Sequence, residues 1–68
     1  MVLRAEDIAI GGLRAARIIF ANDRVEFYAA TIVTRDAVFE IVAHYPPDKA
    51  EAMRPVVETV LGSFRASP

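Results

Sequence analysis

Sixty-eight residues carrying 8 basic and 9 acidic side chains make one small domain with a net charge of -1, and exclude nucleic acid as the main partner, since phosphate binding needs a clustered excess of Lys and Arg. Cysteine is absent while 54% of residues are apolar. Stability must therefore rest on apolar burial rather than on disulfides or thiolate metal sites, and so short a chain carries more apolar surface than one copy readily hides.

The N-terminal residues MVLRAEDIAIGG lack the basic segment and apolar core of a secretory signal. No run approaches the ~18 apolar residues of a membrane span. The expectation is a cytoplasmic protein, with a fragment of a longer exported protein as the alternative.

In chain order, Met1 to Arg4 reads as a loose lead-in, and residues 6–10 as a short extra strand ended by the turn-forming pair Gly11 and Gly12. Leu13 to Ala21 is the next strand, followed by a two-residue turn at Asn22 and Asp23, which tolerate left-handed backbone. Arg24 to Thr34, RVEFYAATIVT, is β-branched and aromatic and reads as the central strand. A turn centred on Arg35 and Asp36 leads into a last strand ending at Tyr45. These turns pair Ala21 with Arg24, Ile19 with Glu26, Arg17 with Tyr28 and Arg14 with Thr31. The second hairpin pairs Val33 with Val38, Thr31 with Glu40, Ala29 with Val42 and Phe27 with His44.

Opposed residues share a side of a sheet. One face then carries Ala16, Ile18, Phe20, Val25, Phe27, Ala29, Val33, Val38 and Val42, interrupted by Arg14, Thr31, Glu40 and His44. The other carries Leu13, Ala15, Ile19, Tyr28, Ala30, Ile32, Phe39, Ile41 and Tyr45, interrupted by Arg17, Glu26 and Thr34. Neither is a water face.

Pro46 and Pro47 end the last strand, since proline cannot donate to a ladder. Asp48 with Glu51 three residues on has the pattern of a capping box, and the helix is expected to run to about Leu61 with Gly62 as its stop. Met53, Val57, Val60, Leu61 and Phe64 form its apolar stripe. Pro55 calls for a kink, or for a first turn separate from a main helix beginning near Arg54. The fold class is α+β over a single domain, residues 1–68: a three- to four-stranded antiparallel meander followed by one C-terminal helix. One helix covers one sheet face, so the expected partner is a second copy completing a sandwich by homodimerisation, with another protein as a further class of partner.

The segments GGLRAARIIFA and VFEIVAHYPP and the ending Val60, Leu61, Gly62, Ser63, Phe64 resemble the C-terminal half of the Mog1/PsbP-like domains, over roughly residues 8 to 65. The resemblance implies an α/β/α sandwich, an antiparallel sheet covered on both sides by helices. It also implies a binding or assembly role, as in photosystem accessory subunits, a Ran-binding protein and secretion chaperones, with no shared catalytic motif. The chain lacks the N-terminal half that supplies the other covering elements, and pairing with itself would restore them.

Residues able to carry chemistry are few. His44, Glu40 and Arg14 are the catalytic candidates, and Thr31, Tyr28 and Tyr45 the ligand-binding ones. Arg14, Thr31 and Glu40 fall in one row of the expected register, where a cross-strand ion pair is the simpler account. Tyr28, Tyr45, Glu26 and Arg17 cluster on the opposite face, where aromatic packing with ion pairing explains them equally well. His44 reads as a half-exposed strand-end residue beside Phe27. It lies about 13 Å along the strand from Glu40, so the only metal geometry is copies of His44 or Glu40 meeting across a twofold. No cofactor is expected, and no nucleophile elbow, Walker loop, dinucleotide fingerprint or HExxH motif is present. Three classes of function follow: a homodimeric interaction or assembly module without chemistry, a small hydrolase, metal-assisted in one version, with its site at the dimer interface, and a carrier for a small apolar ligand.

Overall fold

Turn residues placed between runs of β-branched and aromatic residues fold the chain into a meander in the computed structural model, which describes residues 1–65. Strands β1 (Val2–Ile10), β2 (Leu13–Ala21), β3 (Glu26–Val33) and β4 (Val38–Tyr45) form one antiparallel sheet in the order β1-β2-β3-β4. A 3-10 turn, Pro47–Lys49, then leads into one helix, α1 (Ala50–Gly62). This is the expected α+β architecture, with four strands. Residues 66–68 of the expected domain lie outside the described residues.

The first strand is longer than the short 6–10 segment expected, and Met1 is no loose lead-in. The terminal ammonium donates to the Ala21 carbonyl at 2.8 Å and the Ala21 N–H donates to the Met1 carbonyl at 2.9 Å. The pairing shifts between Val2 and Arg4, so Leu3 is an extra residue on the edge strand. Gly11 and Gly12 have φ of 58° and 80°, the left-handed pair that a tight primed hairpin turn demands. A Cβ at Gly11 would also sit 3.3 Å from the Phe64 carbonyl oxygen, whereas one at Gly12 meets nothing within 4 Å. Gly11→Ala is therefore expected to cost about 1 to 2 kcal/mol in a thermal melt, and Gly12→Asn less than about 0.5 kcal/mol, because Asn tolerates the left-handed region.

The β2–β3 register differs from expectation by two residues. Ala21 pairs with Glu26, Ile19 with Tyr28, Arg17 with Ala30 and Arg14 with Val33. The reason is the Asn22 side chain, whose Oδ1 accepts the N–H groups of Arg24 and Val25 at 2.8 and 2.9 Å. That bonding makes Asn22 the residue before the bend, so Asp23 and Arg24 occupy its centre. Among the described residues no non-glycine residue has positive φ, so the left-handed backbone expected of Asn22 and Asp23 is not used. The β3–β4 register is the expected one. Thr34 plays at that turn the part Asn22 plays at the other, its hydroxyl bonding Ala37 N–H and carbonyl at 3.1 Å.

A slip of two residues preserves sidedness, so both faces are composed as the sequence indicates. Helix α1 covers the face of Ile10, Ala15, Ile19, Tyr28, Ala30, Ile32 and Tyr45, which pack with Ala50, Val57 and Leu61 in one core. The opposite face has no covering element among the described residues, and four cross-strand rows run over it. From the Gly11–Gly12 end they are Ala9–Arg14–Val33–Val38, Asp7–Ala16–Thr31–Glu40, Ala5–Ile18–Ala29–Val42 and Val2–Phe20–Phe27–His44.

The helix departs from expectation in three ways. Asp48 lies inside the 3-10 turn, so it cannot hold the extended cap conformation, and no side chain caps either segment. Pro55 neither splits nor precedes the helix, which runs from Ala50 through it. The ring is exposed, while buried Ala50 on one side and Val57 and Leu61 on the other hold the helix to the sheet. Val60 is not in the buried stripe; with Val56 it points outward, and the two are 52% and 50% exposed.

Candidate functional site

Two polar clusters interrupt the covered face. Glu26, at the start of β3, is only 2% exposed. Its Oε2 accepts from the Tyr45 hydroxyl at 2.6 Å and from Arg54 Nε at 2.8 Å, and its Oε1 accepts from Arg54 Nη2 at 2.6 Å. The fork from Arg54 is bidentate, the strongest geometry available to this pair. Register brings Glu26 opposite Tyr45, and α1 lowers Arg54 onto both. Hydrogen bonding from Arg54, aided by Tyr45, outweighs burial and holds the Glu26 carboxyl below its ordinary 4.5. Burial first, then the bond to Glu26, pushes the Tyr45 hydroxyl up from 10.0 to about 12.

These shifts give the direction in which stability changes with pH. A depressed carboxyl contributes stability that is complete above its unfolded value and lost as pH falls through the folded one; a raised phenol contributes stability that is complete below its unfolded value and lost as pH rises. Urea midpoints are accordingly expected to drop below pH 4.5 and again between pH 10.0 and about 12. Tyr45→Phe should lessen the alkaline drop and keep the acid one. Identical alkaline limbs in the two proteins would contradict this.

The second cluster lies on β1 and β2. Arg17 Nη1 donates to the Tyr28 hydroxyl at 3.0 Å, and Arg17 Nη2 bonds and pairs with Glu6 Oε1. The Arg17 hydrogen bond, larger than the opposing desolvation, holds the Glu6 carboxyl below its usual range. Arg17 Nε is buried without a partner. The expected group of Tyr28, Tyr45, Glu26 and Arg17 is thus two separate pairs, each completed by a residue outside that group: Arg54 for one and Glu6 for the other. Arg54 carried a signal, being a lone cation one turn before Val57 on the inward side of an amphipathic helix. Its meeting with Glu26 depends on how α1 crosses the sheet, which periodicity does not specify.

The open face holds the other candidates. Thr31 and Glu40 share a row with Asp7 and Ala16, but Arg14 stands one row away opposite Val33. The expected Arg14–Thr31–Glu40 row is therefore corrected, for the same reason as the register. His44 lies two rows from Glu40, exposed, its ring 5.9 Å from Phe27. Phe27 in turn stacks on Phe20 at 4.9 Å. Arg14, Thr31, Val33, Thr34 and Arg35 line a shallow open groove of about 610 Å³ at the Gly11–Gly12 end. Among the described residues no three His, Asp or Glu side chains converge as metal ligands within one copy, and no helix is long and apolar enough to cross a membrane.

What distinguishes this face is its apolar surface. Val38, Val42 and Val33 remain 63%, 58% and 50% exposed, and Ile18 and Phe20 each 37%. No family model and no curated protein matches the chain. Among solved structures the fold is similar to that of PA94, a protein of unknown function from Pseudomonas aeruginosa, with a TM-score of 0.82 and 18% identity over 100% of this chain and 50% of that one. Likeness at that identity shows the fold alone. The chain spans half the length of that neighbour.

Proposed function

We propose that the chain is a homodimeric interaction or assembly module without intrinsic chemistry, in which a second copy covers the open sheet face. The observation that carries this reading is the two-layer arrangement with apolar side chains on both sides of the sheet. Fully burying a Val, Ile or Phe is worth about 1.5 to 3 kcal/mol. Hiding six partly exposed ones, Val2, Ile18, Phe20, Val33, Val38 and Val42, therefore contributes on the order of 5 kcal/mol per copy, as much as the core of a domain this size supplies. The resemblance to half of a Mog1/PsbP-like domain accords with a unit that is one layer short.

Sedimentation equilibrium at micromolar concentration tests the reading. A species of twice the 7.5 kDa chain mass is expected; a monomer throughout would sink it. The candidates His44, Glu40 and Arg14 spread over three of the four rows of one copy, so the hydrolase reading, whose site lies at the dimer interface, needs residues from both copies.

A further inference from the structure

We infer that the second copy lies end over end on the open face, with the dimer twofold running across the strands rather than along them, so that the Gly11–Gly12 end of one sheet covers the Asp23–Arg24 end of its partner. This rests on the homodimer reading above and adds its geometry. In the aligned class of face-to-face packing, two sheets sit about 10 Å apart with strands within about 30° of each other. A twofold axis in that interface has two choices. Running along the strands, it lays each row on the same row of the partner with strand order reversed, β1 over β4. Running across them, it lays each strand on its own copy with row order reversed.

The charges on the face separate the two. Asp7 and Glu40 occupy the two outer strands of a single row. An axis along the strands brings Asp7 over Glu40 twice in each dimer, with carboxylates about 4 Å apart by side-chain reach, and each such pair weakens association roughly five-fold or more even in water. An axis across the strands sets Asp7 over Ala5 and Glu40 over Val42, leaving the like charges one row apart at the solvated rim. It also sets Arg14 over Phe20, whose ring stacks on Phe27 at 4.9 Å. A guanidinium above an aromatic pair is attracted to it. The rival arrangement gains a cluster of four phenylalanine rings, a preference of similar size to the two Arg–ring contacts. The acid pairs therefore decide.

The chain has no cysteine, so single labels can be placed cleanly on exposed turn residues outside the face. In spin-labelled Asp36→Cys, pulsed dipolar spectroscopy should give a distance of about 30 Å or more, the length of nine residues of strand. A mixture of labelled Asp36→Cys and Asp23→Cys chains should add a peak below about 20 Å, since those turns then lie over one another across sheets ~10 Å apart. A short distance within Asp36→Cys alone overturns the end-over-end geometry while leaving the homodimer standing. Long distances in both samples point to pairing edge to edge and also overturn it, and a monomer overturns the homodimer reading itself. Glu40→Lys gives an independent thermodynamic arm. End over end, it should change the dimer Kd by less than about three-fold, whereas tightening of roughly ten-fold or more would mean that the introduced ammonium has found Asp7 of the partner subunit, as only the row-on-row arrangement allows.

Discussion

Arg54→Ala is expected to cost about 2 to 4 kcal/mol, enough to bring a domain whose core supplies only about 3 to 5 kcal/mol to the edge of folding. The loss comes less from the missing attraction than from what stays behind. Glu26 keeps its charge and its burial, and the Tyr45 hydroxyl at 2.6 Å is its one remaining partner. Removing one member of a fully buried pair typically costs ~3 to 5 kcal/mol. The Arg54 side chain is 40% exposed, so water can enter the vacated space and the expected cost, about 2 to 4 kcal/mol, is shifted below that range. Glu26→Gln preserves shape and the Tyr45 contact and should cost only about 1 to 2 kcal/mol. Replacing both partners by apolar residues, Glu26→Leu with Arg54→Met, should recover most of the loss, because neither half of the pair is then left stranded. Urea unfolding at one fixed protein concentration reads all three. An Arg54→Ala protein within about 0.5 kcal/mol of the parent, like an ordinary surface change, would mean that solvent already does for Glu26 what the guanidinium is credited with.

Sidedness was legible in the residues because it depends only on parity. Alternation in LRAARIIFA and EFYAATIV fixes which side chains share a face, and a two-residue slip at the first hairpin leaves that assignment intact. Row membership was not legible there. It turned on whether Asn22 stands before the bend or inside it, a choice made by two hydrogen bonds from its side chain, and Arg14 left the row of Thr31 and Glu40 as a result. The second hairpin was legible in both respects, since Arg35 and Asp36 sit at its centre. The full first strand is not legible in the sequence because its pairing reaches back to Met1 through backbone bonds to Ala21, for which the polar residues Arg4, Glu6 and Asp7 give no apolar cue. The Glu26–Arg54 bond joins residues 28 apart in the chain. Helical periodicity marks Arg54 as inward but cannot name the strand residue beneath it.

The other large effect concerns association. Ile18→Asp is expected to weaken the proposed homodimer more than a hundred-fold while leaving the isolated fold in place. Ile18 sits on an inner strand between Ala5 and Ala29, where either twofold arrangement places it beneath the partner sheet. In one copy it is 37% exposed, so an Asp there keeps contact with water and costs the single chain only about 1 kcal/mol, mainly as a poor strand former. In the dimer the carboxylate is enclosed twice, once from each copy, facing apolar side chains with no cation in its own row. Burial of an unpaired polar group costs at least ~1 to 3 kcal/mol, and two such costs add to the lost apolar contact, exceeding the ~2.7 kcal/mol of a hundred-fold change. Val60→Asp is the matched control: it is likewise apolar to acidic at a half-exposed site, but on the outer surface of α1, and should move the dissociation constant by less than about three-fold. Far-UV circular dichroism below the dissociation constant reports the fold, and sedimentation above it reports association. Because a dimer links stability to protein concentration, the parent should also melt higher as concentration rises, and the Ile18→Asp protein should not. If instead Val60→Asp abolishes association and Ile18→Asp spares it, the contact surface lies on the outer side of the helix and the sheet's open face has some other use.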